Sequence, residues 1–161
     1  LSLVDIASID VTPDSAYVAS GLTLQLSATS VFTDESTTDL TATSTWTSSN
    51  PAVAPVDASG LASAIARGTT TISAMVEGFT GSTALTITPP ERASVAMSPD
   101  PGFVAKGLAL QLSVTDTFTD DSTGDVSTLA TWSSSNVDVA TVDLSGLAVD
   151  MELGTTISVL V

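Results

Sequence analysis

Six acidic residues stand in two similar short stretches of the chain, and carboxylates grouped in this way could bind a divalent cation. They are Asp34, Glu35 and Asp39 in the first stretch and Asp120, Asp121 and Asp125 in the second. Because Ca²⁺ takes six to eight oxygen ligands, three carboxylates would supply only part of its shell. Neither stretch has the acidic spacing and central glycine of an EF-hand loop, and turns are commonly acidic. The pattern leaves two interpretations open, a calcium site or ordinary turn residues.

The sequence offers little for catalysis, because it contains no histidine and no cysteine. The common nucleophile and base pairs of hydrolases need one or the other, and disulfides and thiolate zinc sites need cysteine. The chain also has no G-x-S-x-G elbow, no P-loop and no dinucleotide-binding fingerprint. We therefore expect a protein that is not an enzyme and that has no cofactor beyond the calcium considered above.

Composition and charge restrict the partners further. The 18 acidic residues outnumber the three basic ones, which gives a net charge of -15, and this field repels phosphate backbones and anionic lipid. No apolar run approaches the length of a membrane span. We expect no nucleic acid partner and no direct insertion into a membrane.

The chain is an internal duplication with an offset of 86 residues. An ungapped comparison of residues 13–68 with residues 99–154 gives 31 identities in 56 positions. Trp46 recurs as Trp132, and Phe32-Thr33-Asp34 recurs as Phe118-Thr119-Asp120. A period of this size is too long for one turn of a solenoid and large enough for a small domain, so each repeat should fold as a unit.

Short strands account for the pattern within each repeat. Apolar and polar residues alternate over residues 22–28, as in a strand with one buried face. Further strands are expected at residues 8–11, 43–49, 53–56, 61–66, 70–76 and 82–88, each ended by Pro, Gly, Asn or Asp. With 43% apolar but only 4% aromatic residues, the core should consist of aliphatic side chains. The two tryptophans are interpreted as core anchors, with a carbohydrate-stacking surface as the alternative. The predicted fold class is all-β, two tandem sandwiches.

Six short motifs occur in one order in both repeats and resemble the bacterial immunoglobulin-like group 2 repeat. In the first repeat they read Val-Thr-Pro, Gly-Leu-x-Leu-Gln-Leu, Phe-Thr-Asp-x-Ser-Thr, Trp-x-Ser-Ser-Asn, Val-Ala-x-Val-Asp-x-Ser-Gly-Leu and Gly-Thr-Thr. The resemblance implies an Ig-like Greek-key sandwich, used in long arrays on bacterial surface proteins such as intimin-type adhesins and invasins, and in some phage structural proteins. It implies no catalytic residues.

The repeats set the expected domain limits. Residues 1–5 should be a linker or the end of a preceding repeat, 6–88 the first Ig-like repeat, 89–92 a short proline-rich linker and 93–161 the second repeat. The second repeat is expected to lack its last strand, because Ser158 to Val161 align with residues 73–76 after a one-residue gap near Thr71. The missing strand would leave backbone donors and acceptors unpaired at a sheet edge.

These observations predict a non-catalytic spacer or stalk in an extracellular protein of the bacterial cell surface, whose partners are neighbouring repeats of the same array. Two alternatives stay open. In one, the chain is a filament subunit and a strand of another copy, residues 1–9 for instance, fills the groove of the second repeat. In the other, it is a module that binds a glycan or a host surface protein through exposed strands and the loops around residues 48–51.

Overall fold

The computed structural model describes residues 5–100, 102, 105–150 and 157–160, and those residues form strands and turns with no helix. The chain divides into two compact units, residues 1–91 and 92–161. The second unit begins at Arg92, the first residue of a strand, whereas the sequence placed Arg92 in the linker. The expectations for residues 1–4 fall outside the described residues.

Residues 5–91 of the first unit contain nine strands. They are β1 (Ile6–Thr12), β2 (Ser15–Ala19), β3 (Thr23–Gln25), β4 (Ser27–Phe32), β5 (Thr37–Asp39), β6 (Thr45–Ser48), β7 (Leu61–Ser63), β8 (Gly68–Val76) and β9 (Phe79–Thr88). Three sheets result, with strand orders β1-β4-β5, β2-β9-β8-β6 and β3-β7. The β2–β9 pair is parallel and the other pairs are antiparallel.

The described part of the second unit contains eight strands and repeats the first unit in part, with a strand at residues 140–142 where the first unit has only an isolated bridge at Val56. They are β10 (Arg92–Ser98), β11 (Ala109–Gln111), β12 (Ser113–Phe118), β13 (Thr123–Asp125), β14 (Thr131–Ser134), β15 (Ala140–Val142), β16 (Leu147–Asp150) and β17 (Ile157–Leu160). Their sheets have the orders β10-β12-β13, β11-β16-β15 and β14-β17. Trp132 lies opposite Val159, as Trp46 lies opposite Ala74, which confirms the one-residue gap in the repeat alignment. The prediction of two tandem all-β sandwiches is confirmed.

Alternating side chains of the facing sheets form an aliphatic core around one tryptophan in each unit. In the first unit the fully buried residues of β9, Leu85 and Ile87, contribute to this core. Gly81 of β9 packs directly on β1, since a Cβ there would overlap the Ile9 carbonyl oxygen. Among the described residues of the second unit, Leu112, Val114, Val126, Ala130, Trp132 and Ala148 form a buried core cluster.

Two of the predicted strands are wrong. A turn over residues 51–53 comes first, because the amides of Val53 and Ala54 donate to the Asn50 carbonyl, and of residues 53–56 only Val56 pairs with another segment, in an isolated bridge. Residues 22–28 are not one strand, because the chain passes from β3 to β4 at Leu26, whose amide donates to the Gly60 carbonyl at 2.9 Å. Leu22, expected on the buried face, is 44% exposed.

Candidate functional site

The first acidic turn joins β4 to β5 and uses its aspartate as a cap. Asp34 Oδ1 accepts hydrogen bonds from the Ser36 amide at 3.0 Å and from the Ser36 hydroxyl at 2.6 Å. Asp120 Oδ1 accepts the same two bonds from Ser122, at 3.1 and 2.5 Å. The serine hydroxyl, and then its amide, lowers the pKa of each aspartate below the ordinary value.

Glu35 and Asp121 follow these aspartates in the turn, and their contribution is their backbone conformation. They have φ values of 66° and 62°, in the left-handed region. That conformation closes the hairpin at a cost in strain, since a residue with a Cβ rarely adopts it.

A second cap holds the chain after β5. Asp39 Oδ1 accepts the Thr41 amide at 2.8 Å, and hydrogen bonds from the Thr41 side chain and main chain lower the pKa of Asp39. Thr41 also binds two neighbouring segments. Its hydroxyl oxygen accepts the Ala28 amide, and its carbonyl accepts the Trp46 indole N–H at 2.9 Å. The cap therefore connects a surface carboxylate to the core tryptophan.

The second repeat makes the same connection with serine in place of threonine. Asp125 Oδ1 accepts the Ser127 amide at 2.9 Å and its hydroxyl at 2.6 Å, and the hydroxyl is the larger cause that lowers the pKa of Asp125. Ser127 in turn accepts the Val114 amide through its hydroxyl and the Trp132 indole through its carbonyl.

A third capped turn lies in the Val-Asp-x-Ser-Gly-Leu motif, which the sequence analysis did not count among the sites. Asp57 Oδ1 accepts the Ser59 amide at 2.8 Å, the Ser59 hydroxyl at 2.7 Å and the Leu61 amide at 3.0 Å. Asp143 accepts the three corresponding bonds at the same distances. The serine hydroxyl leads the causes that lower the pKa of both aspartates.

Glycine at the tip of this turn permits close contact with the tryptophan. Gly60 has φ of +80°, and a Cβ there would lie 2.9 Å from Trp46 Cζ2 and 2.8 Å from the Leu26 carbonyl oxygen. Gly146 repeats the geometry against Trp132, with a φ of +78°. The two indole rings are 9% and 8% exposed. The interpretation of the tryptophans as core anchors is confirmed, and the carbohydrate-stacking alternative is wrong.

The Ser-Ser-Asn motif is bound to the Gly-Thr-Thr motif. Thr70 Oγ1 lies 2.9 Å from Ser48 Oγ and 3.1 Å from Ser49 Oγ, and it accepts the Asn50 amide at 3.0 Å. Thr71 donates its amide to Ser49 Oγ at 2.9 Å. These hydroxyls close the end of β6 against β8, so in the loop proposed as a ligand-binding surface the two serine hydroxyls and the Asn50 main-chain amide are engaged in the fold.

The aspartates thus act singly, each within its own turn. Across residues 5–100, 102 and 105–150, no three carboxylates form a group that could hold a metal ion. This geometry agrees with the interpretation of the acidic residues as turn residues. Calcium binding by the two stretches stays a prediction.

One charged pair, absent from the sequence expectations, lies in the second repeat. Arg92 Nη2 is 2.7 Å from Asp116 Oδ2, and the side chains are 45% and 2% exposed. No described residue forms a hydrogen bond with Asp116 Oδ1. The first repeat has Ile6 and Ser30 at the corresponding positions. The duplication shows only that both positions change to charged residues of opposite sign, and the strand register is needed to place the two side chains in contact.

The fold and its capped turns define a class, the repeated Ig-like β-sandwich module. The chain belongs to the bacterial Ig-like domain (group 2) family, which matches residues 5–87 and 92–160. Nowhere in the described ranges does a helix have the length and hydropathy needed to cross a membrane.

A curated relative and several solved structures are similar to the chain. Ice-binding protein 1 of Shewanella frigidimarina is 43% identical over 143 residues, a match that covers 89% of this chain and 16% of the relative. The chain therefore spans about a sixth of that protein. Among solved structures, domains 1–6 of the surface layer protein SbsC are 20% identical, with coverages of 97% and 26% and a TM-score of 0.46. SbsC domains 5–6 are 16% identical, with both coverages 98% and a TM-score of 0.46.

Proposed function

We propose that the chain is a non-catalytic spacer in an extracellular bacterial protein, where it holds other parts of that protein apart or away from the cell surface. The observation that carries the proposal is the use made of the duplicated polar residues. Each of the three aspartates per repeat accepts bonds inside its own turn, and the Ser-Ser-Asn and Gly-Thr-Thr motifs of the first repeat bond to each other. The polar residues that recur in the two repeats therefore stabilise the fold of the module.

The family and the relative support this role. Family membership supports a repeated structural module, and the relative is named for ice binding although the match spans 16% of its length. We infer that ligand binding, including any binding of ice, belongs to other regions of the full-length protein. The absence of histidine and cysteine supports a module without catalysis. A net charge of -15 supports solubility outside the cell and disfavours nucleic acid as a partner.

The isolated 161-residue chain tests the proposal directly. We expect no binding on a glycan array and no adsorption to a growing ice surface, because the serine hydroxyls of the Ser-Ser-Asn loop and the capping aspartates bond within the fold. Binding of either target by the isolated chain at micromolar concentration would assign it to the ligand-binding class instead. A heat-unfolded sample of the same chain gives the background for both assays.

A further inference from the structure

β1 and β4 of the first repeat correspond closely to β10 and β12 of the second. β1 pairs with β4 and β10 pairs with β12 in the same register, including a bulge after the first pair, so each contact recurs 86 residues later. Backbone hydrogen bonds do not depend on side-chain identity. β10 could therefore form the same ladder with β4 of the first repeat, and misassembly between similar neighbours is a characteristic failure of repeat proteins.

The inner face of these strands carries one difference of charge. In the first repeat, Ile6 packs against the core and the Ser30 hydroxyl donates to the Thr38 carbonyl at 3.3 Å. In the second repeat, Arg92 and Asp116 occupy these positions as an ion pair. Asp116 is 1% exposed as a residue, and the guanidinium that compensates its carboxylate comes from the neighbouring strand.

We propose that the Arg92–Asp116 pair is a strand-pairing lock, which makes β10 select β12 and reject β4. If β1 paired with β12, Ile6 would stand in the place of Arg92 and the buried Asp116 carboxylate would lose its cation. If β10 paired with β4, Arg92 would meet Ser30 and no carboxylate. A buried charge that is paired only in the correct arrangement penalises the wrong ones. The inference concerns how similar repeats fold apart and does not depend on the proposed function.

Pairs of introduced cysteines report which two strands have paired, because the natural sequence contains no cysteine that could form another disulfide. Ser94 lies opposite Thr117 in the native ladder, as Ser8 lies opposite Val31. The double variant Ser94→Cys/Val31→Cys therefore forms a disulfide only when β10 pairs with β4, within a chain or between chains. Ser94→Cys/Thr117→Cys reports the native pairing. Each variant is refolded from denaturant under oxidising conditions, and its disulfides are mapped by mass spectrometry.

The proposal predicts that the fraction of chains with the cross-repeat disulfide changes when the two repeats are made alike. In the Arg92→Ile/Asp116→Ser background, which copies the first repeat, the cross-repeat disulfide should increase on the order of tenfold over the natural background. The Ile6→Arg/Ser30→Asp background gives both repeats the same pair, and it should raise the cross-repeat disulfide although no charge has been removed.

Two outcomes would overturn the proposal. One is an unchanged cross-repeat disulfide in the Arg92→Ile/Asp116→Ser background while the native reporter still closes. The other is an increase of the cross-repeat disulfide in the Arg92→Ile/Asp116→Ser background together with loss of the native disulfide. In that case the Ile6→Arg/Ser30→Asp chain would show no more cross-repeat disulfide than the natural background. That second result would assign the pair to the stability of the second repeat. If Ile6→Arg/Ser30→Asp prevents folding of the first repeat, as Ser8→Cys/Val31→Cys reports, the Arg92→Ile/Asp116→Ser background alone decides.

Discussion

The two repeats agree at their turns and differ along the strand that opens each of them. Asp57 with Gly60 and Asp143 with Gly146 form the same capped turn against the same tryptophan, with equal hydrogen-bond distances. Along β1 and β10, by contrast, an apolar residue in the first repeat is replaced by Arg92 in the second. The turns and the tryptophan therefore define the module, whereas the inner face of the first strand of each repeat can distinguish one copy from another.

Substitution of the turn glycine should produce the largest effect, and an equal one in both repeats. Gly60→Ala and Gly146→Ala each add a Cβ within 3 Å of the indole and of a carbonyl oxygen, at a positive φ. Strain and overpacking together should cost about 3–5 kcal/mol of unfolding free energy in the substituted repeat. Urea denaturation, followed by the fluorescence of the tryptophan in that repeat, measures the loss once the other tryptophan is replaced by phenylalanine.

Two other glycines provide matched controls for this prediction. Gly78 and Gly107 have φ values of +88° and +79°, and a Cβ at either position meets nothing within 4 Å. Alanine at these sites should cost only the backbone strain, about 1 kcal/mol. Equal losses at Gly60 and Gly78 would show that contact with the tryptophan is not what requires glycine.

Removal of the arginine of the ion pair should destabilise the second repeat alone. Arg92→Ala leaves the buried Asp116 carboxylate without a partner, at a cost of about 1–3 kcal/mol, since Arg92 is itself partly exposed. Arg92→Ile/Asp116→Ser should recover most of this loss, because it removes the buried charge together with its partner. Denaturant titration of the two variants measures the difference, and Lys106→Ala serves as the control for loss of a positive charge. A double variant as unstable as Arg92→Ala would contradict the assignment.

Acid should weaken both repeats through the same three caps. The folded-state pKa of each capping aspartate lies below the ordinary aspartate value of 3.8, so its contribution to stability is present above that value. It is lost as the pH falls through the folded pKa. Asp57→Asn should reduce the acid sensitivity of the first repeat and leave that of the second unchanged. Thermal melts between pH 2 and 6 check this, and an identical pH profile in the variant would show that the cap does not respond to acid.

Calcium should have the smallest effect. The aspartates act singly as caps, so the melting temperature in millimolar calcium should equal that in chelator. A stabilisation of either repeat by calcium, lost in Asp34→Asn or Asp120→Asn, would instead support the cation site predicted from the acidic stretches. Magnesium at the same concentration controls for general screening of the net negative charge.

The sequence predicted those features that depend on repetition and alternation. The offset of 86 residues identified the module, and the periodic strands and the buried Trp46 were found. It missed β2, because Ser15–Ala19 pairs in parallel with a strand about 70 residues away, and β5, because its three residues are all exposed. The apolar run at residues 53–56 indicated a strand, since a short buried run has no periodicity that separates a strand from a turn.

The roles of the acidic residues depended on geometry that spacing does not contain. Asp34 and Asp39 were grouped because they are close in sequence, yet each accepts bonds from the residue two positions later in its own turn. The Arg92–Asp116 pair joins two strands, and neither residue belongs to a motif. Only strand register brings the two together.

Replacement of the pair of repeats within its full-length protein tests the central claim most directly. Residues 6–160 would be exchanged for two group 2 Ig-like repeats of equal length but unrelated surface. The affinity of the full-length protein for ice and for glycans would then be measured. A spacer predicts that affinity is retained after the exchange and falls only when the number of repeats is reduced. Loss of affinity in the exchanged protein, with both foreign repeats folded, would contradict the account and place the binding function in this chain.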